Sequence, residues 1–264
     1  MRRSRFLTAW LAGGFAFLYV PMALMVTISF NDSRLTTEWT GFSLRWYVAL
    51  TADDTLMQAA WLSLRVAVIS ATLAMLLGGA AGVALARFGR FALRPLFAGL
   101  LAAPLVLPEL LIGLSLLLLF VVLQQVIGWP AERGALTIVL AHATVGLAFV
   151  AFTVQARLAG AGDVLEEAAM DLGASPARAF LRITLPLMAP ALAAGWLLAF
   201  TLSLDDVVVA SFVSGPGAST LPMVVFSTLR LGATPVLNAL ATVILVLVGA
   251  MVFLASRLGP VLRR

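Results

Sequence analysis

The sequence predicts an all-α, polytopic membrane protein. Three observations predict it: an apolar composition, six stretches long enough to cross a bilayer, and arginines gathered on alternate connections. Of the 264 residues, 62% are hydrophobic and 11% charged, a balance that belongs to chains solvated by lipid. All 17 basic residues are Arg and none is Lys. A phosphate-binding loop of the G-x-x-x-x-G-K-[ST] type is thereby excluded, so the chain does not itself hold ATP in that way. The absence of Cys excludes disulfides, thiolate nucleophiles and zinc–thiolate sites. The net charge of +5 does not indicate nucleic acid, because the arginines serve as topology markers.

A membrane-crossing helix needs about 20 predominantly apolar residues. Six segments meet that length: Phe6–Phe30, Gln58–Ala86, Leu96–Leu123, Leu136–Gln155, Ala189–Val213 and Val236–Ala255. The first follows a basic flank, Arg2, Arg3 and Arg5. Its apolar run is too long for a signal-peptide core and meets no small-x-small cleavage site before Pro21, so it reads as a retained span. The third contains Pro104 and Pro108, which remove helical hydrogen bonds and predict a kink of the kind found where a helix lines a cavity.

The arginines set the orientation. Arg2, Arg3 and Arg5, then Arg87, Arg90 and Arg94, then Arg157, Arg178 and Arg182, then Arg257, Arg263 and Arg264 fall on one side. Arg34, Arg45, Arg133 and Arg230 fall on the other, and Arg65 lies within a span. The positive-inside rule puts both termini and the fourth connection in the cytoplasm. The chain divides into a first span with its outer loop (1–57), a five-span core carrying a polar cytoplasmic loop at 163–186 (58–255), and a short basic tail (256–264).

That cytoplasmic loop is the most polar stretch. Asp163 and Glu166 have capping-box spacing. Leu165, Ala168, Ala169 and Leu172 then form one narrow apolar stripe at helical period. Gly173 supplies a left-handed stop, and Ser175-Pro176 restart a second helix at a new angle. Pro186 and Pro190 are expected to end the loop and lead into the fifth span. A short helix with a small-residue stripe and a carboxylate face suits docking into a cleft of another subunit. Its acids, including Glu167 and Asp171, argue against an anionic lipid surface.

The spacing Glu167-Ala168-Ala169, three residues, Gly173, nine residues, Ile183-x-Leu185-Pro186 resembles the cytoplasmic loop signature of ABC-importer permeases. The segments Trp196–Asp206, Ser211–Pro222 and Pro108–Ser115 resemble, with less specificity, the spermidine/putrescine permeases of that group. The resemblance implies a type I ABC importer permease fold and a bacterial inner-membrane location. It implies a non-catalytic subunit that binds no cofactor itself, ATP and Mg being bound by a separate cytoplasmic ATPase dimer. It further implies a second homologous permease and a periplasmic polyamine-binding protein as partners, besides the lipid bilayer. On this reading Glu167, Ala168, Ala169, Gly173, Ile183, Leu185 and Pro186 are the coupling positions.

Three acids fall within the spans: Glu109 directly after Pro108, and the pair Asp205 and Asp206. A carboxylate at membrane depth is costly and marks a water-filled path or a buried partner, and the three are candidate translocation groups for a cationic solute. Neighbouring helical residues point about 100° apart. One Asp can therefore face a pathway while the other caps backbone groups or meets a partner such as Arg65. The single histidine, His142, has no metal-binding motif around it and reads as a hydrogen-bonded structural residue. Ser214–Pro235 and Asn31–Thr55 are the expected outer surfaces for a soluble binding protein. A membrane-embedded enzyme would need a convergent set of reactive groups that Asp205 and Asp206 alone do not supply, and a self-contained carrier has no use for the cytoplasmic loop.

Overall fold

A computed structural model describes residues 5–35, 38–89, 91–232 and 234–258. The expected tail therefore lies mostly outside the described residues, as do Arg2, Arg3 and Arg90. Every regular element among the described residues is helical, apart from one isolated bridge between Asn31 and Phe42. Five helical stretches are long and apolar enough to cross a membrane: Ala9–Ser29, Asp54–Arg87, Glu109–Ile127, Ala135–Ala161 and Pro176–Asp205. A further helix of 24 residues runs over Pro235–Leu258.

The chain forms two compact units, residues 58–224 and residues 1–57 with 225–264. In the second of these, α1 (Arg5–Ser29) and α12 (Pro235–Leu258) run together, and the short α2 (Arg45–Thr51) packs on α12. The chain between α1 and α2 is pinned by polar contacts. Ser29 and Tyr47 hydroxyls lie 2.7 Å apart, Trp46 Nε1 donates to the Asn31 carbonyl at 2.6 Å, and Arg45 pairs with Asp32 at 3.1 Å.

The larger unit is built on three tightly packed helices, α3 (Asp54–Arg87), α6 (Ala135–Ala161) and α9 (Leu185–Asp205). Small residues allow this. A Cβ on Gly78 would come within 2.6 Å of the Leu147 carbonyl, and one on Gly82 within 2.5 Å of the Ala151 carbonyl. Gly146 sits between Ala74 and Ala199, at 3.0 and 2.9 Å from the place of its missing Cβ. In lipid no hydrophobic force drives helices together, so close backbone approach of this kind supplies the packing. Two apolar cores result, besides a smaller cluster of Leu85, Leu101 and Ala151. Ala71, Ala74, Val150, Val154, Leu158, Met188 and Ala199 fill one. Val66, Phe120, Ile138, Val139, Val209 and Val213 fill the other.

Two expected spans are broken. The third is two helices, α4 (Arg94–Val106) and α5 (Glu109–Ile127), rather than one kinked rod. Leu107 is extended at φ −75°, ψ 140°, because the ring of a following proline disfavours helical geometry in the residue before it. The fifth ends at Asp205; Asp206 is extended (ψ 129°) and the short α10 (Val208–Val213) follows separately.

The same span begins earlier than expected. Pro186 and Pro190 do not end the loop: α8 (Pro176–Ala179), a π-helical turn (Phe180–Thr184) and α9 are continuous. In the π turn the Leu185 N–H reaches back to the Phe180 carbonyl, so the ladder has already shifted register where Pro186 lacks a donor. The Gly- and Pro-rich Ser214–Pro235 segment contains an 11-residue helix, α11 (Leu221–Leu231). Arg65 pairs with neither aspartate; its guanidinium lies over the Trp61 ring at 4.7 Å.

Candidate functional site

The two breaks face one another across a cavity of about 490 Å3. Pro104, Leu105, Leu107 and Glu109 contribute from the α4–α5 break. His142, Gly146 and Phe149 of α6 form another wall, and Ser203, Asp205, Asp206 and Val207 close it from the α9–α10 break. All three acids expected from the sequence thus share this one cavity. Non-helical backbone at membrane depth is tolerated where it lines such a space. At about 1.5 Å per residue, His142 lies roughly 10 Å from the start of α6 and nearly three times as far from its other end, so the cavity is remote from the polar loop.

The acids do different things. Asp206 anchors the break: Oδ1 accepts from the Val209 N–H at 3.2 Å and Oδ2 from the Ala210 N–H at 2.7 Å. These are the unpaired donors at the start of α10, which an Asp side chain satisfies at little cost. Oδ2 also lies 3.1 Å from His142 Nε2, with the imidazole 4% and the carboxylate 11% exposed. Because a carboxylate only accepts, Nε2 is the donor, and in the neutral imidazole Nδ1 accepts from the Ser203 hydroxyl at 2.6 Å. Ser203 in turn accepts from Ser70 at 3.1 Å. His142 is therefore hydrogen-bonded through both ring nitrogens, as expected of a structural histidine.

Asp205 and Glu109 are exposed to the cavity, and neither forms an ion pair among the described residues. Glu109 occupies the first turn of α5, where the helix dipole favours a carboxylate.

Ser203, His142 and Asp206 are the residue types of a hydrolase triad, yet the arrangement is unsuited to that chemistry. Ser203 is buried within the last turn of α9 and its oxygen already accepts from Ser70. The N–H groups around it belong to the helical ladder, so none is left to stabilise an oxyanion. Among the described residues no three of His, Asp and Glu converge to hold a metal ion.

The polar loop forms α7 (Val164–Asp171) and, after a turn, α8. Gly173 has φ +89°, its N–H donates to the Met170 carbonyl at 2.9 Å, and the Ala174 N–H reaches the Ala169 carbonyl at 3.0 Å. This is a Schellman stop, as the sequence indicated. The apolar stripe is uncovered: Leu165 is 54% and Leu172 91% exposed. Ala169, Gly173 and Ile183 border a notch of about 320 Å3 between α7 and the π turn, with Arg178 and Arg182 at its edge. Glu167, Ala168 and Pro186 are exposed, while Leu185 packs against the core beside Met188 and Leu158.

The expected capping box is absent. The Asp163 side chain makes no cap bond; it and Glu166 turn instead to Arg87 at the end of α3. Local spacing gave no sign of that contact, nor of the contacts joining His142 to Ser203 and Asp206.

A helical membrane bundle with an acid-lined cavity at two helix breaks, and an uncovered helical loop at a distance from it, has the build of a solute permease worked by another subunit. The chain belongs to the family of binding-protein-dependent transport system inner membrane components, matched over residues 74–264. It is 57% identical over 242 residues to the putrescine transport system permease protein PotI of Escherichia coli K12, covering 92% of this chain and 86% of that one. Identity to the spermidine/putrescine transport system permease protein PotC of the same organism is 44% over 253 residues, covering 94% and 93%. The fold also matches, with a TM-score of 0.69, a chain in the crystal structure of a bacterial ABC transporter involved in the import of the acidic polysaccharide alginate. That match spans 100% of this chain and 98% of the other at 16% identity, and it concerns the fold alone.

Proposed function

We propose that this chain is the permease subunit of an ATP-driven polyamine importer, forming half of its translocation path for putrescine or spermidine. The carrying observation is that 57% identity to a putrescine permease extends across 92% of the chain, while three acids line one membrane-depth cavity. Asp205 and Glu109 attract the ammonium groups there, and Asp206 holds the wall. In this reading both termini and α7 are cytoplasmic. A separate ATPase dimer binds ATP and Mg and receives α7 in a groove, with Ala168, Ala169 and Leu172 against it and Glu167 beside them. A second homologous permease completes the pore and a periplasmic protein delivers the amine.

The test is reconstitution of the full transporter in proteoliposomes. Putrescine uptake should require both ATP and the binding protein, and a Cys placed at Ala168 should cross-link to the ATPase. An assembled complex that hydrolyses ATP without moving putrescine or spermidine refutes the substrate; absence of the cross-link refutes the docking.

Gly173 offers a graded test of the loop. Nothing lies within 4 Å of its missing Cβ, so a substitution there is penalised through the backbone alone. Gly173→Val should weaken the stop by roughly 1–2 kcal/mol and lower both cross-linking and uptake. Gly173→Asn, which tolerates a left-handed φ, should keep most of each. Equal behaviour of the two variants would show that the angle between α7 and α8 does not matter.

A further inference from the structure

Arg87 closes the loop end of α3, and its side-chain hydrogen bonds all go to one short stretch of chain. Nε donates to Glu166 at 3.0 Å, and Nη2 lies 2.9 Å from the same carboxylate. Nη1 reaches Asp163 and also donates to the Leu158 carbonyl at 3.3 Å; Nη2 donates to the Gly162 carbonyl at 2.9 Å. A guanidinium has five N–H donors; four of them make hydrogen bonds here, and Nη2 also pairs by charge with Glu166. The side chain is 10% exposed, unlike a solvated surface arginine held by one flexible partner.

The acceptors lie on both sides of a glycine joint. Leu158 belongs to α6, while Asp163 and Glu166 belong to the start of α7. Between them Gly162 has φ +69°, and neither Gly160 nor Gly162 has any atom within 4 Å of its missing Cβ. Such a joint is locally soft, because glycine has neither a side chain nor a preferred sign of φ. Left alone it would let α7 swing without moving α6.

We infer that Arg87 stiffens the α6–α7 joint and ties it to α3, so that displacement of α7 is delivered to the helical bundle. The path beyond the clasp is continuous. α3 is held against α6 at Gly82 and Gly78, and Ala74 meets Gly146, which faces Ala199. Gly146 and Ala199 line the cavity. Arg87 is thus a positioning residue that links the loop to the substrate path, and Asp163 and Glu166 act with it rather than with a partner. This rests on the reading that α7 receives the movement of an ATPase.

The experiment uses the reconstituted transporter with the Ala168→Cys reporter, comparing Arg87 with Arg87→Ala and Arg87→Lys. Three quantities are read: cross-linking to the ATPase, ATP hydrolysis, and putrescine moved per ATP. Cross-linking and hydrolysis should persist in both variants. Putrescine per ATP should fall about tenfold in Arg87→Ala, the size of a typical lost coupling. Arg87→Lys should lie between, since an ammonium keeps the charge but cannot grip both sides of the joint. Should the alanine variant fail to assemble, the lysine variant carries the same comparison. Uptake and hydrolysis falling in step, or an unchanged ratio, overturns the inference. Loss of the cross-link with Arg87 intact overturns the docking reading, and the inference with it.

Discussion

Putrescine uptake should fall about a hundredfold when Asp205→Asn and Glu109→Gln are combined, from two charge-assisted hydrogen bonds each worth at least about 1.4 kcal/mol. Each single variant should lose about tenfold on the same arithmetic. Both acids face the cavity and neither is committed to an ion pair among the described residues. The amides keep the shape and the carbonyl acceptor while removing the charge, so the chain should still reach the membrane and still cross-link to the ATPase through Ala168→Cys. That separation of uptake from assembly is the informative part. A double variant that takes up putrescine at the unsubstituted rate would remove these acids from the path.

Much of the architecture was legible because lipid imposes it. Long apolar runs have few alternatives to helices when every backbone group must be paired internally, so the first, second and sixth spans appear close to their expected limits, while the fourth runs on past Gln155 to Ala161. The Gly173 stop was legible for the same kind of reason: the left-handed turn is a local event with a local signature. Pro108 announced a disturbance of the third span, though a kink was expected and Leu107 instead opens the helix fully. What the sequence concealed depends on distant partners. Asp163 and Glu166 stand where a capping box places them, and only the position of Arg87, 76 residues before Asp163, sends them elsewhere. A helix start attracts carboxylates for either purpose, so spacing cannot separate the two. The continuity of α8, the π turn and α9 was hidden in the same way, since two prolines ordinarily mark an end and here fall just after a register shift.

Asp206 is expected to fail differently from its neighbour. Replacing it by alanine strips the acceptor from the Val209 and Ala210 N–H groups and from His142 Nε2. Each buried donor left unpaired costs about 1–3 kcal/mol, and no water-filled space is needed to expose the loss. The damage should spread, because α10 is a wall shared by others. Phe212 lies so close to α5 that a Cβ on Gly113 would come within 2.7 Å of its ring. The Thr137 hydroxyl at the start of α6 donates to the Val213 carbonyl at 2.6 Å. Asp206→Ala should therefore lower the melting temperature and the amount of protein recovered from the membrane, whatever solute is supplied. Asp206→Asn should recover part of both, since its one amide oxygen can take the Oδ2 place and accept from Ala210 and His142, while its NH2 then leaves the Val209 N–H without an acceptor. Asp205→Ala, by contrast, should accumulate normally and lose uptake. The pair can be assayed for thermal stability in detergent and for putrescine transport in vesicles. If Asp206→Ala melts like the unsubstituted protein and loses only transport, the carboxylate serves the solute rather than the helix break, and the two adjacent acids share one role after all.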